Sequence, residues 1–453
     1  MLLDFTIKNF LSFKNEVSLN MLAAKTVKEN EKNDSKYVNT WSIPETETKV
    51  LKSAAIYGAN GSGKSNLVQA MAFFREIVLA SVVDENIVNN SNSLNFRLEE
   101  SNANEPVCMQ IIFIADKMKY RYGFELFDSK VVSEWLFMQA TISHSKESYC
   151  FIRENNTVTV NARTFKGARG INAKTRGNAL FLSTCAQFNV EIAMIIKEWF
   201  RKRFNVISGL NDPLAFTANQ FMHNNDMHRR ILDFIKLIDL GIEDIDVKEK
   251  AIESNAFGSS ATDQMEQLTL RLAQGINPKI DKLNRLEINA QHALYNGDKK
   301  VGQVSLPFQM ESLGTNKLFA FLGPWFDTLN NGGVIVVDEF GASLHTQLSI
   351  ELINLFHSKM NQSGSQLIMT THDTNLLRRD LLRRDQIWFV EKSNKGCSDL
   401  YSLVEYKMNQ ATSVRNDASF GKDYLLGRYG AIPYFGNIDK FIDDYGKEEH
   451  VRQ

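Results

Sequence analysis

Residues 58–65 read Gly-Ala-Asn-Gly-Ser-Gly-Lys-Ser, which has the residue types and spacing of a phosphate-binding loop. Glycines let successive backbone N–H groups turn toward phosphate oxygens, and the helix that follows adds the positive end of its dipole. Lys64 would reach the β- and γ-phosphates of a nucleotide, and the Ser65 hydroxyl would coordinate Mg²⁺. The predicted nucleotide-binding residues are Gly58, Ala59, Asn60, Gly61, Ser62, Gly63, Lys64, Ser65 and Asn66.

Two carboxylates follow an apolar run at residues 333–337, where a buried strand should end. Asp338 would hold Mg²⁺ there, and Glu339 would be the catalytic base that polarises an attacking water. Acidic residues are common at strand ends, so this pair is informative mainly because the phosphate-binding loop is also present. His372 follows the next apolar run. A lone histidine is often structural, but its position at the end of a neighbouring strand favours a catalytic contact to the γ-phosphate.

Hydrophobic periodicity predicts the elements that would position these groups. Alternation of Phe5 and Ile7, then of Val17 and Leu19, indicates an N-terminal hairpin, and an antiparallel meander is expected within 106–140. Further strands are predicted at residues 50–57, 179–183, 333–337, 366–370 and 386–391. Helices are predicted at residues 64–80, 190–205, 226–240, 262–295, 342–360 and 373–383.

The helical patterns between 190 and 295 indicate a compact helical lobe inserted into an α/β domain. Residues 1–188 are expected to form the first part of the α/β domain with the loop and the meander, and 189–329 to form the lobe. Residues 330–405 would complete the α/β domain with both carboxylates and His372, and 406–453 would form a C-terminal tail.

Composition excludes several classes of protein. The chain has 453 residues with 52 basic and 53 acidic side chains, so its net charge of −1 attracts neither polyanions nor anionic membranes globally. A content of 30 Phe excludes a disordered chain. Four widely separated cysteines are typical of a reducing compartment. The sequence contains no long apolar window and no signal-peptide segment, so we expect a cytoplasmic protein with no membrane partner.

One segment departs from this charge balance. Residues 163–176 contain glycines and the basic residues Arg163, Lys166, Arg169, Lys174 and Arg176. The favoured interpretation of such a segment is a solvated surface loop, and the alternative is a contact for a polyanion.

Residues 311–319, Glu-Ser-Leu-Gly-Thr-Asn-Lys-Leu-Phe, make the chain resemble the ABC-type ATPases. In that family a Ser-x-Gly turn at a helix start, the signature motif, binds the γ-phosphate of ATP held by the other protomer. The resemblance implies this role for Ser312 and Gly314, although Thr315 and Asn316 depart from the common form of the motif.

Two other segments are similar to motifs of the same family. Residues 340–345 resemble the D-loop, with His345 where many relatives have Asp. Gln187, which precedes the lobe, resembles the Q-loop glutamine by its order in the chain. The resemblance implies an α/β fold, namely an ABC-type P-loop ATPase head with an antiparallel β meander and an inserted helical lobe. It also implies ATP and Mg²⁺ as cofactors and an ATP-sandwiched homodimer or higher homo-oligomer.

Phe5-x-Ile-x-Asn-Phe-x-Ser-Phe13 is similar to the opening of the RecF/SMC branch of these ATPases. Residues 56–65, 384–392 and 427–433 resemble the compact bacterial AAA-15/AAA-21 ATPases. That group includes abortive-infection proteins of the AbiLi/RloA type and is related to AriA of the PARIS system. The resemblance implies an ATP-hydrolysing switch in anti-phage defence that controls a separately encoded effector, expected to be a Toprim-like nuclease. The alternative is a RecF-like DNA repair ATPase, so nucleic acid is a further candidate partner.

Overall fold

The computed structural model describes residues 1–27, 37–89, 93–142, 145–208, 213–238, 240–252, 283–408, 412–413 and 419–433. The chain divides into two compact units. The first consists of Met1–Ser208, Gly332–Ala342 and Thr346–Gln453, and the second of Gly209–Asn331 and Ser343–His345.

A seven-stranded antiparallel sheet belongs to the first unit. Its strands are β1 (Leu2–Lys8), β2 (Val17–Asn20), β6 (Val107–Ala115), β7 (Met118–Phe127), β8 (Lys130–Ala140), β9 (Ser148–Glu154) and β10 (Thr157–Val160). They are ordered β10-β9-β8-β7-β6-β1-β2. Phe5 pairs with Leu19, which confirms the predicted hairpin. Strands β6, β7 and β8 confirm the meander.

A second sheet of six strands lies in the same unit. Its strands are β5 (Ser53–Tyr57), β11 (Phe204–Ile207), β15 (Val334–Val337), β16 (Gln366–Thr370), β17 (Ile387–Lys392) and β18 (Ser398–Ser402). They are ordered β11-β15-β16-β5-β17-β18, and only β18 runs antiparallel to its neighbour. Strands β5, β15 and β16 are buried along their whole length, as parallel strands covered on both faces are.

The described residues of this unit also contain two short strand pairs, β3 (Thr40–Ser42) with β4 (Lys49–Leu51) and β19 (Lys407–Met408) with β20 (Thr412–Ser413). The single strand predicted at 50–57 is therefore two strands, β4 and β5.

Helix α1 (Lys64–Ala80) confirms the helix predicted directly after the loop. Its apolar face is buried, and the Phe74 ring lies 5.8 Å from the ring of Phe5 on β1 and 4.9 Å from that of Phe124 on β7. Packing against the antiparallel sheet thus fixes the position of α1, and the loop at 58–65 leads directly into the first turn of this helix. The other helices of this unit are α2 (Asn86–Asn89), α3 (Phe181–Gln187), α4 (Glu191–Lys202), α8 (Thr346–His357) and α9 (Phe420–Leu425).

The second unit is not purely helical, which corrects the predicted helical lobe. Its helices α5 (Leu214–His223), α6 (Asn225–Leu237) and α7 (Leu313–Asn331) accompany a three-stranded antiparallel sheet. The strands are β12 (Ile242–Ile252), β13 (Leu283–Asn296) and β14 (Lys299–Pro307).

Most of the helix predicted at 262–295 lies outside the described residues, and its described part is strand β13. Ile288 and Ala290 are buried there and alternate with less buried neighbours, which is a period of two rather than 3.6. Asn296 pairs with Lys299, so Gly297 and Asp298 form a two-residue turn between β13 and β14. Gly297 has φ +61°, and a glycine at the first position of such a turn favours a hairpin.

Three other predictions differ from the structure. Residues 181–187 are helix α3 rather than a strand, because the buried Glu134 carboxylate accepts hydrogen bonds from the N–H groups of Phe181 and Leu182. Residues 374–376 form a single 3₁₀ turn instead of a helix over 373–383, since the Asp373 carboxylate accepts from the Asn375 N–H. Residues 189–208 belong to the first unit and not to the lobe.

Candidate functional site

The parallel register of the six-stranded sheet brings the predicted site residues together. Ile56 of β5 lies opposite Thr370 of β16, and Met369 of β16 lies opposite Val337 of β15. All three strands therefore end at the same edge of the sheet. The loop at 58–65, the carboxylate pair and His372 each follow one of these strand ends, as the order of the motifs predicted.

The loop has an open side and a packed side. Gly61 and Gly63 have φ values of +74° and +115°, in the left-handed region that glycine tolerates best. A Cβ on Gly61 would meet no atom within 4 Å, whereas one on Gly63 would lie 2.6 Å from Ser12 Oγ and 2.5 Å from Ser398 Oγ. The packed side is held by Ser398, whose hydroxyl donates to the Ser62 carbonyl. The open side is a cradle that fits phosphate oxygens.

Lys64 is only 6% exposed and folds back on the loop. Its Nζ donates to the carbonyl oxygens of Gly58 at 2.9 Å and Ala59 at 3.0 Å. Burial lowers the pKa of the Lys64 ammonium, and the negative charges of Asp338 and Glu339 oppose that shift. The lysine and both carboxylates thus share one electrostatic environment.

Asn66 was predicted to bind nucleotide, and its side chain is engaged elsewhere. Its Nδ2 donates to Ser12 Oγ at 2.7 Å, in the turn between β1 and β2. The same turn accepts a backbone hydrogen bond from Ser398 at 2.7 Å. Asn66 therefore ties α1 to the turn that supports the packed side of the loop.

Thr370 links the Asp338 carboxylate to the backbone of Glu339, a role that the sequence did not reveal. Its hydroxyl donates to Asp338 Oδ1 at 2.5 Å and accepts from the Glu339 N–H at 2.8 Å. Glu339 is exposed and has φ +53°, a backbone conformation that costs about 1–2 kcal/mol for a residue with a side chain. Thr370 thus orients Asp338 and helps to hold Glu339 in its unusual conformation.

Thr370→Val keeps the branched shape and removes the hydroxyl, so Asp338 loses its orienting partner. Asp338 is the predicted Mg²⁺ ligand, and the outer partners of a metal ligand typically contribute about 10- to 100-fold. We therefore expect Mn²⁺ affinity, measured by electron paramagnetic resonance in the presence of ATP, to fall by about tenfold or more. Thr370→Ser should restore it. The matched control is Thr371→Val, because the hydroxyl of the neighbouring Thr371 donates to the Phe340 carbonyl at 2.8 Å and not to Asp338. Equal effects of the two valine variants would contradict the orienting role of Thr370.

His372 is exposed at the same edge of the sheet. Partial burial of the ring lowers its pKa, and the positive charge of Lys64 lowers it further. The following residue, Asp373, is fixed by two hydrogen bonds. Its carboxylate accepts from the Thr346 hydroxyl at 2.9 Å, and its backbone carbonyl accepts from the Tyr57 hydroxyl at 3.2 Å. A neutral imidazole held beside Lys64 can donate a hydrogen bond to a phosphate oxygen.

The predicted signature motif lies at the start of α7 in the second unit. Ser312 Oγ accepts from the Thr315 N–H at 3.1 Å and therefore caps the helix. A Cβ on Gly314 would lie 2.6 Å from the carbonyl oxygen of Ser343, so only glycine fits beside the segment that resembles the D-loop. The Ser-x-Gly turn expected from the sequence is present.

Gln187 is the last residue of α3 and is exposed. Among the described residues, its side chain makes no hydrogen bond to the loop, to either carboxylate or to His372. Its role as the Q-loop glutamine stays a prediction.

The donor set fits a Mg²⁺ ion that phosphate oxygens help to coordinate. In the described part of the chain, no three or more His, Cys, Asp or Glu side chains are grouped closely enough to hold a metal ion. Ser65 and Asp338 would be the protein ligands, a combination typical of nucleotide-bound Mg²⁺. No helix among the described residues is long and apolar enough to cross a membrane.

The two sheets, with α1 following the loop, form the fold of an ABC-type P-loop ATPase head, as predicted. Among solved structures, the SMC head bound to the C-winged helix domain of ScpA is 14% identical, with a TM-score of 0.45 over 91% of this chain and 99% of that chain. The SMC head domain from Thermotoga maritima is 13% identical, with a TM-score of 0.38 over 88% and 98%. The recombination mediator RecF of the RecFOR pathway is 12% identical, with a TM-score of 0.31 over 88% and 98%.

No curated protein matches the chain. The model of the AAA_21 family, described as an AAA domain, putative AbiEii toxin of a type IV toxin–antitoxin system, matches residues 53–378. This match covers more than half of the chain and includes the loop, the carboxylate pair, the Ser-x-Gly turn and His372. The chain belongs to the AAA_21 family of ATPases.

Proposed function

We propose that this chain binds ATP with Mg²⁺ at the edge of the six-stranded sheet, hydrolyses it slowly and acts as a nucleotide-dependent switch. The observation that carries the proposal is the shared end of β5, β16 and β15, which gathers Lys64, Asp338 and Glu339 at one edge. A cradle of left-handed glycines beside a lysine and two carboxylates suits a Mg²⁺-bound triphosphate. Calorimetric titration with ATP tests the proposal, and a wild-type protein that binds no ATP would refute it.

Each group at this edge would have a separate task. Lys64 would exchange the neutral carbonyl oxygens of Gly58 and Ala59 for charged phosphate oxygens, which are stronger acceptors. Ser65 and Asp338 would hold Mg²⁺, which, when bound, neutralises charge on the phosphates. Glu339, exposed at the strand end, would take up a proton from the attacking water.

A second copy of the chain would complete the site. Ser312 caps α7, and its neighbours Met310 and Leu313 are 70% and 72% exposed. Exposed apolar side chains that flank a polar turn favour a protein interface over contact with water. We infer that the Ser312 turn of one copy closes over ATP held by the loop of its partner, so the working unit is at least a dimer.

Ser312→Arg should leave ATP binding by a single chain intact and stop hydrolysis, because a long cation would fill the space required by the partner's γ-phosphate. ATP binding by calorimetry and phosphate release by a coupled assay separate the two effects. Ser305→Arg is the matched control, since Ser305 is an exposed serine on β14 of the same unit. Hydrolysis at the wild-type rate in the Ser312→Arg variant would show that the site is not shared between copies.

The biological setting we propose is defence against phage, with a separately encoded nuclease, Toprim-like in character, as the effector. The family description, a putative toxin of a type IV toxin–antitoxin system, supports this setting over a housekeeping one. Phage plating on cells that carry the wild-type gene with its neighbours, compared with the Lys64→Ala gene, tests the role. If cells with the Lys64→Ala gene were still protected against phage, defence would not depend on the nucleotide site.

The second candidate function is that of a RecF-like repair ATPase. It instead predicts that cells without the gene survive DNA damage less well.

A further inference from the structure

The region between Glu154 and Glu191 has an unusual charge distribution. These 36 residues contain five basic side chains and no acidic one, in a chain that has 53 acidic residues overall. A local excess of one charge in a nearly neutral protein creates a local field that attracts the opposite charge.

Within this region, the chain repeats a pattern with a period of three. Phe165, Ala168 and Ile171 are buried in the core of the first unit, at 0%, 0% and 6% exposure. The Phe165 ring packs 5.4 Å from the ring of Phe151 on β9. Three cations at the same spacing are exposed: Arg163 precedes Phe165, Lys166 lies between Phe165 and Ala168, and Arg169 lies between Ala168 and Ile171. Residues 163–170, called the basic rim below, are therefore anchored to the core through Phe165 and Ala168, and they display an exposed cation at every third residue.

The cations of the basic rim are available for an external partner. Among the described residues, the side chains of Arg163, Lys166 and Arg169 form no ion pair and no hydrogen bond. Arg176 differs, because its guanidinium pairs with Glu85 and donates to the Val82 carbonyl at 3.0 Å. Arg176 is a structural residue, whereas the rim cations have no structural task in the described protein.

Glycines leave space beside two of these cations. Gly167 follows Lys166 with φ +83°, and Gly170 follows Arg169 with φ +80°. A Cβ on Gly170 would meet nothing within 4 Å, and one on Gly167 would meet only Val190 at 3.9 Å. An anion can approach the backbone N–H groups closely at such positions. Lys166 and Arg169 thus each lie next to accessible backbone.

We propose that the basic rim binds the phosphate backbone of a nucleic-acid strand. A repeating polyanion matches a repeating row of cations, and Arg and Lys with nearby backbone N–H groups are the usual partners of phosphate. The rim reads no base edges, so the contact is independent of nucleotide sequence. The proposal goes beyond the ATP switch and does not depend on it.

The test uses the full chain with Arg163, Lys166 and Arg169 all changed to Gln. Binding to a fluorescein-labelled oligonucleotide, single-stranded or duplex, is followed by fluorescence anisotropy over a range of potassium chloride concentrations. Since each phosphate contact contributes about 0.7–0.9 to the slope of log affinity against log salt, the slope should shrink by about two to three. Affinity at low salt should fall by about tenfold or more.

The matched control removes the same charge elsewhere in the first unit, with Lys25, Lys49 and Lys117 changed to Gln. This control should keep the wild-type slope, and both triple variants should keep the wild-type melting temperature and ATP affinity. Three results would overturn the proposal: no binding of nucleic acid by the wild type, equal losses in both triple variants, or preferential binding of polyglutamate or anionic vesicles over the oligonucleotide.

Discussion

Glu339→Gln is expected to lower the rate of ATP hydrolysis by about 10²- to 10⁴-fold, the usual cost of losing a general base. Gln keeps the shape of the side chain and removes its basicity. The backbone should not shift, because the hydrogen bond from the Glu339 N–H to Thr370 does not involve the side chain. ATP binding should survive and become slightly stronger, since one negative charge beside the phosphates is lost.

The measurement is single-turnover hydrolysis with radiolabelled ATP, together with light scattering in the presence of Mg²⁺ and ATP. The variant should accumulate as an ATP-bound closed assembly. Glu351→Gln, an exposed change on α8, is the control for removal of a carboxylate. If Glu339→Gln hydrolysed ATP at the normal rate, the catalytic carboxylate would lie elsewhere.

Lys64→Ala should weaken ATP binding by about 100-fold or more, because charge-assisted hydrogen bonds to phosphate are lost. The structure supplies no substitute in the loop, where the other residues are glycines and small neutral side chains. Lys64→Met, which keeps most of the aliphatic stem, should have the same effect if charge is the cause. Binding of a fluorescent ATP analogue measures both variants, with circular dichroism as the check on folding. If the Lys64→Met variant bound the ATP analogue with wild-type affinity, Lys64 would not be part of the nucleotide-binding site.

Features with a local cause were predictable from the sequence. The helix at 64–80 and the strand at 366–370 match the structure residue for residue, because periodicity and flanking signals both lie within the segment. The placement of Asp338 and His372 at one edge also followed, since parallel strands that alternate with helices must end on the same side.

Features that depend on distant contacts were not predictable. Glu134 caps α3 from 47 residues away, so an apolar segment that reads as a strand begins a helix instead. Thr370 reaches Asp338 across 32 residues, and only the pairing of β15 with β16 makes them neighbours. Residues 262–295 carry a helix-period pattern in the sequence, whereas their described part is strand β13, because it pairs with β12 and β14.

Complementation between two inactive variants tests the central claim, that ATP is shared between copies, most directly. Lys64→Ala chains and Ser312→Arg chains are co-expressed with different tags, and the mixed complex is purified through both tags. One of its two sites would combine an intact Lys64 from one chain with an intact Ser312 from the other. We predict that the mixed complex recovers hydrolysis, up to about half the wild-type rate if two symmetric sites act independently. A mixed complex that stays as inactive as each separate variant would contradict the shared site.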